Sequence, residues 1–255
     1  METLTSFVAS ADGTRIAYDV QGHGPALILL PGHGFSRRVW HEYGYPPRLQ
    51  EQFTVITMDH RNEGESEKPT RPEDYTIDHY IADIHAVADA CGMHDFLVWG
   101  HSFGATISTH LSAVPSRLRA AVIAGSFYGD GFHTFVQKVL SDMQDFAQAK
   151  ATGTLHTFPP GAREFAEQTN LDEEIAIWHM FSTWPIVEPQ EARCPTLIYF
   201  GSNNSSVGRV LAIRVEVEAL GMHLHVFDGL NHMQELTEID RVLPPVLAFL
   251  KVHGR

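Results

Sequence analysis

The sequence predicts an α/β fold: an eight-stranded, mostly parallel sheet flanked by helices, with a small helical cap inserted in its second half. Three observations lead there. Short β-rich runs recur along almost the whole chain, stretches of helical spacing separate them, and the strand rhythm stops between about residues 126 and 193.

The strand candidates are residues 4–9, 16–20, 26–30, 53–58, 96–100, 120–124, 196–200 and 224–227. The first two flank Ala11-Asp12-Gly13, a tight-turn signature that predicts an antiparallel hairpin. The later runs are far enough apart for crossover helices, which predicts parallel pairing. Between Ile77 and Cys91 the apolar residues Ile77, Tyr80, Ile81, Ile84, Val87 and Ala88 recur every three or four positions, one buried face of a helix.

Residues 126–193 hold helical stretches at 132–149 and 162–180, broken by Gly153 and Pro159-Pro160, and are dense in aromatics. Two readings stand: a helical layer packed on the core, or a lid over an apolar pocket, with Phe127, Tyr128, Trp178 and Trp184 touching substrate. Without repeats or a linker, residues 1–255 read as one domain carrying this insertion.

With 44% hydrophobic and 19% charged residues, the composition is that of a globular chain. Eighteen basic residues against thirty-one acidic ones give a formal charge of −13, and the basic ones do not cluster. A phosphate backbone or an anionic bilayer would be repelled, so the expected partner is a small molecule rather than nucleic acid or membrane. The start, Met1 to Phe7, lacks a basic and then apolar leader pattern, so a cytoplasmic location is expected. Cys91 and Cys194 stand far apart in the sequence and read as small buried thiols. No glycine-rich phosphate loop or metal-ligand spacing occurs, so cofactor-independent chemistry without a metal is expected.

The chemistry starts at residues 96–105, where a buried-strand pattern runs into Gly100-His101-Ser102-Phe103-Gly104 and then into a helix-like stretch. In a strand–turn–helix setting, G-x-S-x-G forms a sharp turn that lifts the serine hydroxyl above the sheet, with the glycines leaving room for it. A serine hydroxyl needs a base to become a nucleophile, and histidine is the natural one near neutral pH.

Together with Pro31-Gly32-His33-Gly34-Phe35, Asn231-His232-Met233 and the strand rhythm, this elbow resembles the α/β-hydrolase superfamily over nearly the whole chain. The resemblance implies Ser102 as nucleophile and His232, after the last strand, as its base. His101, adjacent to the serine in the turn, reads as a packing residue. The resemblance also implies an oxyanion hole made by the backbone amides of Phe103 and His33, with Gly34 as the alternative if the loop is shifted and as an expected substrate contact. Whether the His33 side chain binds a substrate oxygen, caps a helix or faces solvent stays open. Met58 to Ser66 resembles the family's D-x-R-G-x-G-x-S loop, with Asn62 in place of its first glycine; Asp59 and Arg61 are expected to pair there and Ser66 to cap it.

The family's acid is expected after the strand at 196–200, but Asn204 occupies that position. An amide supplies no negative charge to an imidazolium, and in serine proteases the same exchange costs about 10⁴ in turnover. Three explanations stay open: the acid has moved to the end of the preceding strand, with Asp130 the nearest carboxylate; a Ser–His pair works with Asn204; or Asn204 replaces a natural aspartate. Asp228 is expected to belong to a turn.

The sequence thus predicts a serine hydrolase that cleaves an ester or related acyl bond of a small apolar or aromatic substrate through an acyl-enzyme on Ser102. The alternatives are non-ester chemistry on the same scaffold, namely a carbon–carbon bond hydrolase, cofactor-free dioxygenase or lyase, and a hydrolase-like ligand receptor.

Overall fold

The computed structural model describes residues 4–254; residues 1–3, part of the N-terminal run considered above, and Arg255 lie outside the described residues. Eight strands form one sheet: β1 Ser6–Ala9, β2 Arg15–Gly22, β3 Ala26–Leu30, β4 Thr54–Met58, β5 Phe96–His101, β6 Leu118–Ala124, β7 Thr196–Gly201 and β8 His223–Phe227. Their order across the sheet is β1-β2-β4-β3-β5-β6-β7-β8. β2 is antiparallel to both neighbours, and every other adjacent pair is parallel. Each predicted run is therefore a strand, displaced by a few residues at its ends.

Every residue of β3, β4 and β5 is buried, as required of strands covered on both faces. Alternate side chains divide between two cores. Ile28, Ile56, Val98 and Ile198 meet the apolar face of one helical layer, whereas Leu27, Leu29, Val55, Leu97 and Trp99 meet the other.

The helices follow in chain order: α1 Arg38–Glu42, α2 Tyr45–Leu49, α3 Ile77–Ala90, α4 Phe103–Ala113, α5 Gly131–Thr152, α6 Pro160–Gln168, α7 Leu171–Phe181, α8 Val207–Ala212, α9 Arg214–Ala219, α10 Gln234–Thr237 and α11 Ile239–His253. α3 buries Ile77, Tyr80, Ile84, Val87 and Ala88, the face expected from their spacing. α5, α6 and α7 occupy the interval between β6 and β7. The stretch at 162–180, read as one helix, is two: it breaks after Gln168, and the Asn170 side chain caps α7 by accepting the Glu173 N–H. No described helix is long and apolar enough to cross a membrane.

The chain runs from β3 outward to β4 on one side and later to β5 on the other. Between β3 and β5 lies the switch in direction, where loops at the carboxyl ends part and leave a crevice. His33 follows β3 and Ser102 follows β5, so the topology brings them together.

Candidate active site

Ser102 lies between β5 and α4 with φ 55° and ψ −113°, a left-handed strain that a side-chain-bearing residue seldom adopts. The turn fits only because its flanks are glycine. A Cβ on Gly100 would come within 2.5 Å of the Ala105 nitrogen, and one on Gly104 within 2.6 Å of the Pro31 oxygen. The Ser102 N–H donates to the Ala124 carbonyl (2.8 Å), which ties the elbow to the end of β6.

His232 Nε2 is 3.0 Å from Ser102 Oγ. On its other side, Nδ1 is 3.1 Å from Glu235 Oε2, a carboxylate on the first turn of α10 with no solvent exposure. Glu235 Oε1 accepts the Gly201 N–H and an Asn204 Nδ2 hydrogen, both at 2.7 Å. These donors hold the carboxyl group and orient it toward the imidazole. His101, fully buried, stacks on His232 with ring centroids 4.8 Å apart and donates its Nε2–H to the His232 carbonyl (3.0 Å). Burial pushes His101 down to about 3, so it holds the His232 main chain as a neutral ring.

Glu235 was not foreseen from the sequence, and the expected acids are corrected by it. Asn204 does occupy the turn after β7 that faces His232, with Nδ2 3.1 Å from Nδ1. Its orientation is set by its other contacts: Oδ1 accepts the Ser206 N–H (2.8 Å) while Nδ2 donates to Glu235. Nδ2 and the Nδ1–H are thus two donors side by side, both served by Glu235, and Asn204 takes no proton from the imidazole. Asp130 makes no hydrogen bond or ion pair with His232. Its carboxylate is exposed at the start of α5 and pairs with Arg209. Asp228 lies in the turn after β8, where it accepts from Ser202 Oγ at 3.3 Å.

Room for Glu235 exists because a glycine follows β6. A Cβ on Gly125, at φ +68°, would overlap Glu235 Oε2 and come within 2.7 Å of the His232 ring. The end of β6 therefore carries no acid here and instead leaves the space in which an acid from α10 reaches the imidazole.

The loop after β3 supplies the remaining polar groups. Gly34 N–H donates to Glu63 Oε1 (2.7 Å), which removes it as the oxyanion donor. Among the described residues no protein acceptor takes the N–H of His33 or Phe103. Arg37 pins this loop: its N–H and guanidinium bind Asp59, and Nε binds Asp19 (2.9 Å), all nearly or fully buried. Asp59 and Arg61 do not pair as expected. Arg61 is taken by Asp83 (2.7 Å) and Asp12 (3.0 Å) on the opposite side of its loop. Asn62 does take the glycine conformation, at φ 71°, and Ser66 Oγ bridges the Asp59 carbonyl and the Ala17 N–H, both at 2.9 Å.

A cavity of about 420 Å³ opens beside Ser102 and His232. Phe127, Phe132, Phe135 and Trp178 give it an apolar wall, and Trp178 comes from α7. Three predicted contacts are corrected. Gly34 does not line the cavity, its N–H being turned to Glu63. Tyr128 is in the core, its hydroxyl paired with Ser112 Oγ (2.8 Å), and Trp184 is buried behind Phe103 with its indole N–H on the Tyr75 carbonyl (3.0 Å). His101, His232 and Glu235 offer one ligand atom each within 4.8 Å, but a cation there would compete with the contact between His232 and Glu235.

Residues 25–170 match the alpha/beta hydrolase fold family, more than half of the chain, and the protein belongs to that family. Its relatives are diverse. It is 28% identical to BpoC of Mycobacterium tuberculosis, provisionally described as a non-heme bromoperoxidase, over 71% of this chain and 69% of that protein. It is 26% identical to epoxide hydrolase 3 of Mus musculus, over 87% of this chain and 70% of that protein. Among solved structures, a carboxylesterase of Nitrososphaera gargenis superposes with a TM-score of 0.76 at 18% identity, covering 97% of this chain and 98% of that one. A hydrolase of Pseudomonas aeruginosa superposes with a TM-score of 0.73 at 22% identity, covering 96% and 98%. At these identities the structural likeness speaks for the fold alone.

Proposed function

We propose that the protein is a serine hydrolase that cleaves an ester or related acyl bond through a covalent acyl intermediate on Ser102. The observation that carries this reading is the bridging imidazole: His232 meets Ser102 Oγ at 3.0 Å through one nitrogen and buried Glu235 at 3.1 Å through the other.

In the first step Ser102 Oγ attacks the carbonyl carbon and its proton passes to His232 Nε2. Glu235 accepts the Nδ1–H throughout, which fixes the tautomer and stabilises the imidazolium. The negative charge that develops on the carbonyl oxygen is met by the N–H groups of Phe103 and His33; one such donor contributes about 10²–10³ in rate. The intermediate collapses, the leaving alcohol takes the proton from Nε2, and an acyl ester remains on Ser102. Water then attacks that ester with His232 again as base, releasing the acid and restoring the serine.

Epoxide hydrolysis, suggested by one relative's name, fits this nucleophile poorly. Opening an epoxide with serine would leave an ether on Oγ, which lacks the carbonyl that lets water release an acyl group. An amide as the only partner of His232 would favour a ligand receptor without turnover; the carboxylate of Glu235 at 3.1 Å argues against one. The substrate is small, in keeping with the cavity of about 420 Å³, and apolar where it meets Phe132, Phe135 and Trp178.

The test is hydrolysis of 4-nitrophenyl esters from acetate to octanoate by the wild-type protein and Ser102→Ala. Turnover that Ser102→Ala loses by at least 10³-fold is expected. Turnover that survives the substitution would overturn the acyl-enzyme reading.

A further inference from the structure

The wall of the cavity beside the oxyanion loop holds a second polar pair that the hydrolytic steps do not use. The His33 ring stands edge-on between Phe103 and Trp178, with centroid distances of 5.7 and 5.0 Å, and His33 lines the cavity with Ser102. Its Nδ1 is 3.3 Å from Glu63 Oε1. That same oxygen accepts the Gly34 N–H at 2.7 Å.

These contacts bias the tautomer. Burial pushes the Glu63 carboxyl up to about 7, so both of its charge states are accessible near neutrality. In either state Oε1 is occupied as an acceptor, and a carboxyl proton would sit on Oε2. With Nδ1 3.3 Å from Oε1, a ring lone pair turned onto that oxygen would be repelled, which favours the tautomer with its hydrogen on Nδ1. Burial also pushes His33 down to about 4, so the ring is neutral and Nε2 keeps a free lone pair. Among the described residues Nε2 has no protein partner. An acceptor nitrogen thus stands in a largely aromatic wall, on the same residue whose N–H faces the developing oxyanion.

We propose that His33 Nε2 determines specificity by accepting a hydrogen bond from the substrate, and that the preferred ester carries a hydroxyl or N–H group close to its scissile carbonyl. The proposal rests on the ester-hydrolase reading for the identity of the ligand, and its test reads binding so that the two can fail separately. A site built around an acceptor discriminates against an analogue that lacks the donor. Glu63 serves as the positioning residue.

The experiment measures calorimetric binding of ethyl butyrate, ethyl 2-hydroxybutyrate and ethyl 3-hydroxybutyrate to Ser102→Ala protein. At least one hydroxylated ester is expected to bind about tenfold more tightly than the butyrate. The preference should fall to within about twofold when His33→Phe is added, and persist with Glu63→Gln, whose amide oxygen can accept the Gly34 N–H and still face His33 Nδ1. Equal binding of all three esters, or a preference that survives His33→Phe, would overturn the proposal. If the preference is found while wild-type protein hydrolyses none of the esters, the acyl-enzyme reading falls and the acceptor site stands.

Discussion

Glu235 reaches His232 from three residues further along the chain: its Oε2 is 3.1 Å from Nδ1, and its Oε1 is held by the Gly201 N–H and Asn204 at 2.7 Å. The acid and the base thus share one turn, and the strand that would ordinarily present the acid presents an amide that steadies it.

Glu235→Gln should reduce kcat/KM by about 10² to 10⁴, because a neutral amide neither stabilises the imidazolium nor enforces the Nδ1–H tautomer. Asp130→Asn should stay within about twofold of wild type, since it alters only an exposed ion pair. Steady-state hydrolysis of the best ester checks both. A large loss in Asp130→Asn would contradict the assignment of the acid.

Asn204→Asp should impair the enzyme, although the same change would repair a chain that had simply lost its aspartate. The new carboxylate would meet Glu235 at the 2.7 Å contact now made by the amide, two acids competing for one buried site. The combination Asn204→Asp with Glu235→Gln returns to one acid and one amide, and should recover at least tenfold of the activity lost by Glu235→Gln alone. The four kcat/KM values of this cycle test the arrangement; independent losses would contradict it.

Gly125→Ala should nearly abolish activity and lower the melting temperature, because its methyl would displace Glu235 and crowd the His232 ring, on a backbone at φ +68°. A destabilisation of about 1–3 kcal/mol is expected from overpacking and backbone strain. Thermal unfolding together with activity decides this.

Stability should fall as the pH drops below about 6.5, where histidines of the unfolded chain take up protons. Burial holds His101 down to about 3 and His33 and His60 to about 4, so the native protein does not match that uptake. Glu63, pushed up to about 7 by burial, has the opposite sign: it favours the native state at low pH and loses that contribution as the pH rises from about 4.5 to 7. Three such rings outweigh one carboxyl, and the expected slope between pH 6.5 and 5 is on the order of 1–2 kcal/mol per pH unit. Urea unfolding at several pH values measures it; a flat profile would contradict neutral buried histidines.

The eight strands were legible because each is a compact apolar run, and Ser102 was legible because the elbow needs glycines at fixed offsets. Glu235 was not. In sequence it is one of thirty-one acidic residues in a short polar stretch between Met233 and Leu236. The available signal was its spacing from His232, which puts both side chains on one face of a helical turn. What buries it, Gly125, Gly201 and Asn204, comes from two other strand ends and has no local signature. Tyr128 and Trp184 were misplaced for a similar reason: aromatic density marks an apolar layer, but the core side and the cavity side of that layer differ only in tertiary contacts. The pairing of Asp59 with Arg61 failed because nearness in sequence was taken for nearness in space, whereas Arg37 and Asp83 compete from other elements.

The most direct measurement is intact mass and peptide mapping after treatment with a fluorophosphonate, using wild type, Ser102→Ala and Glu235→Gln. The expected result is one covalent adduct on Ser102 in the wild type, none in Ser102→Ala, and labelling slowed at least tenfold in Glu235→Gln. No adduct on wild-type Ser102, or an equal rate without the Glu235 carboxylate, would contradict a serine activated by His232 and Glu235.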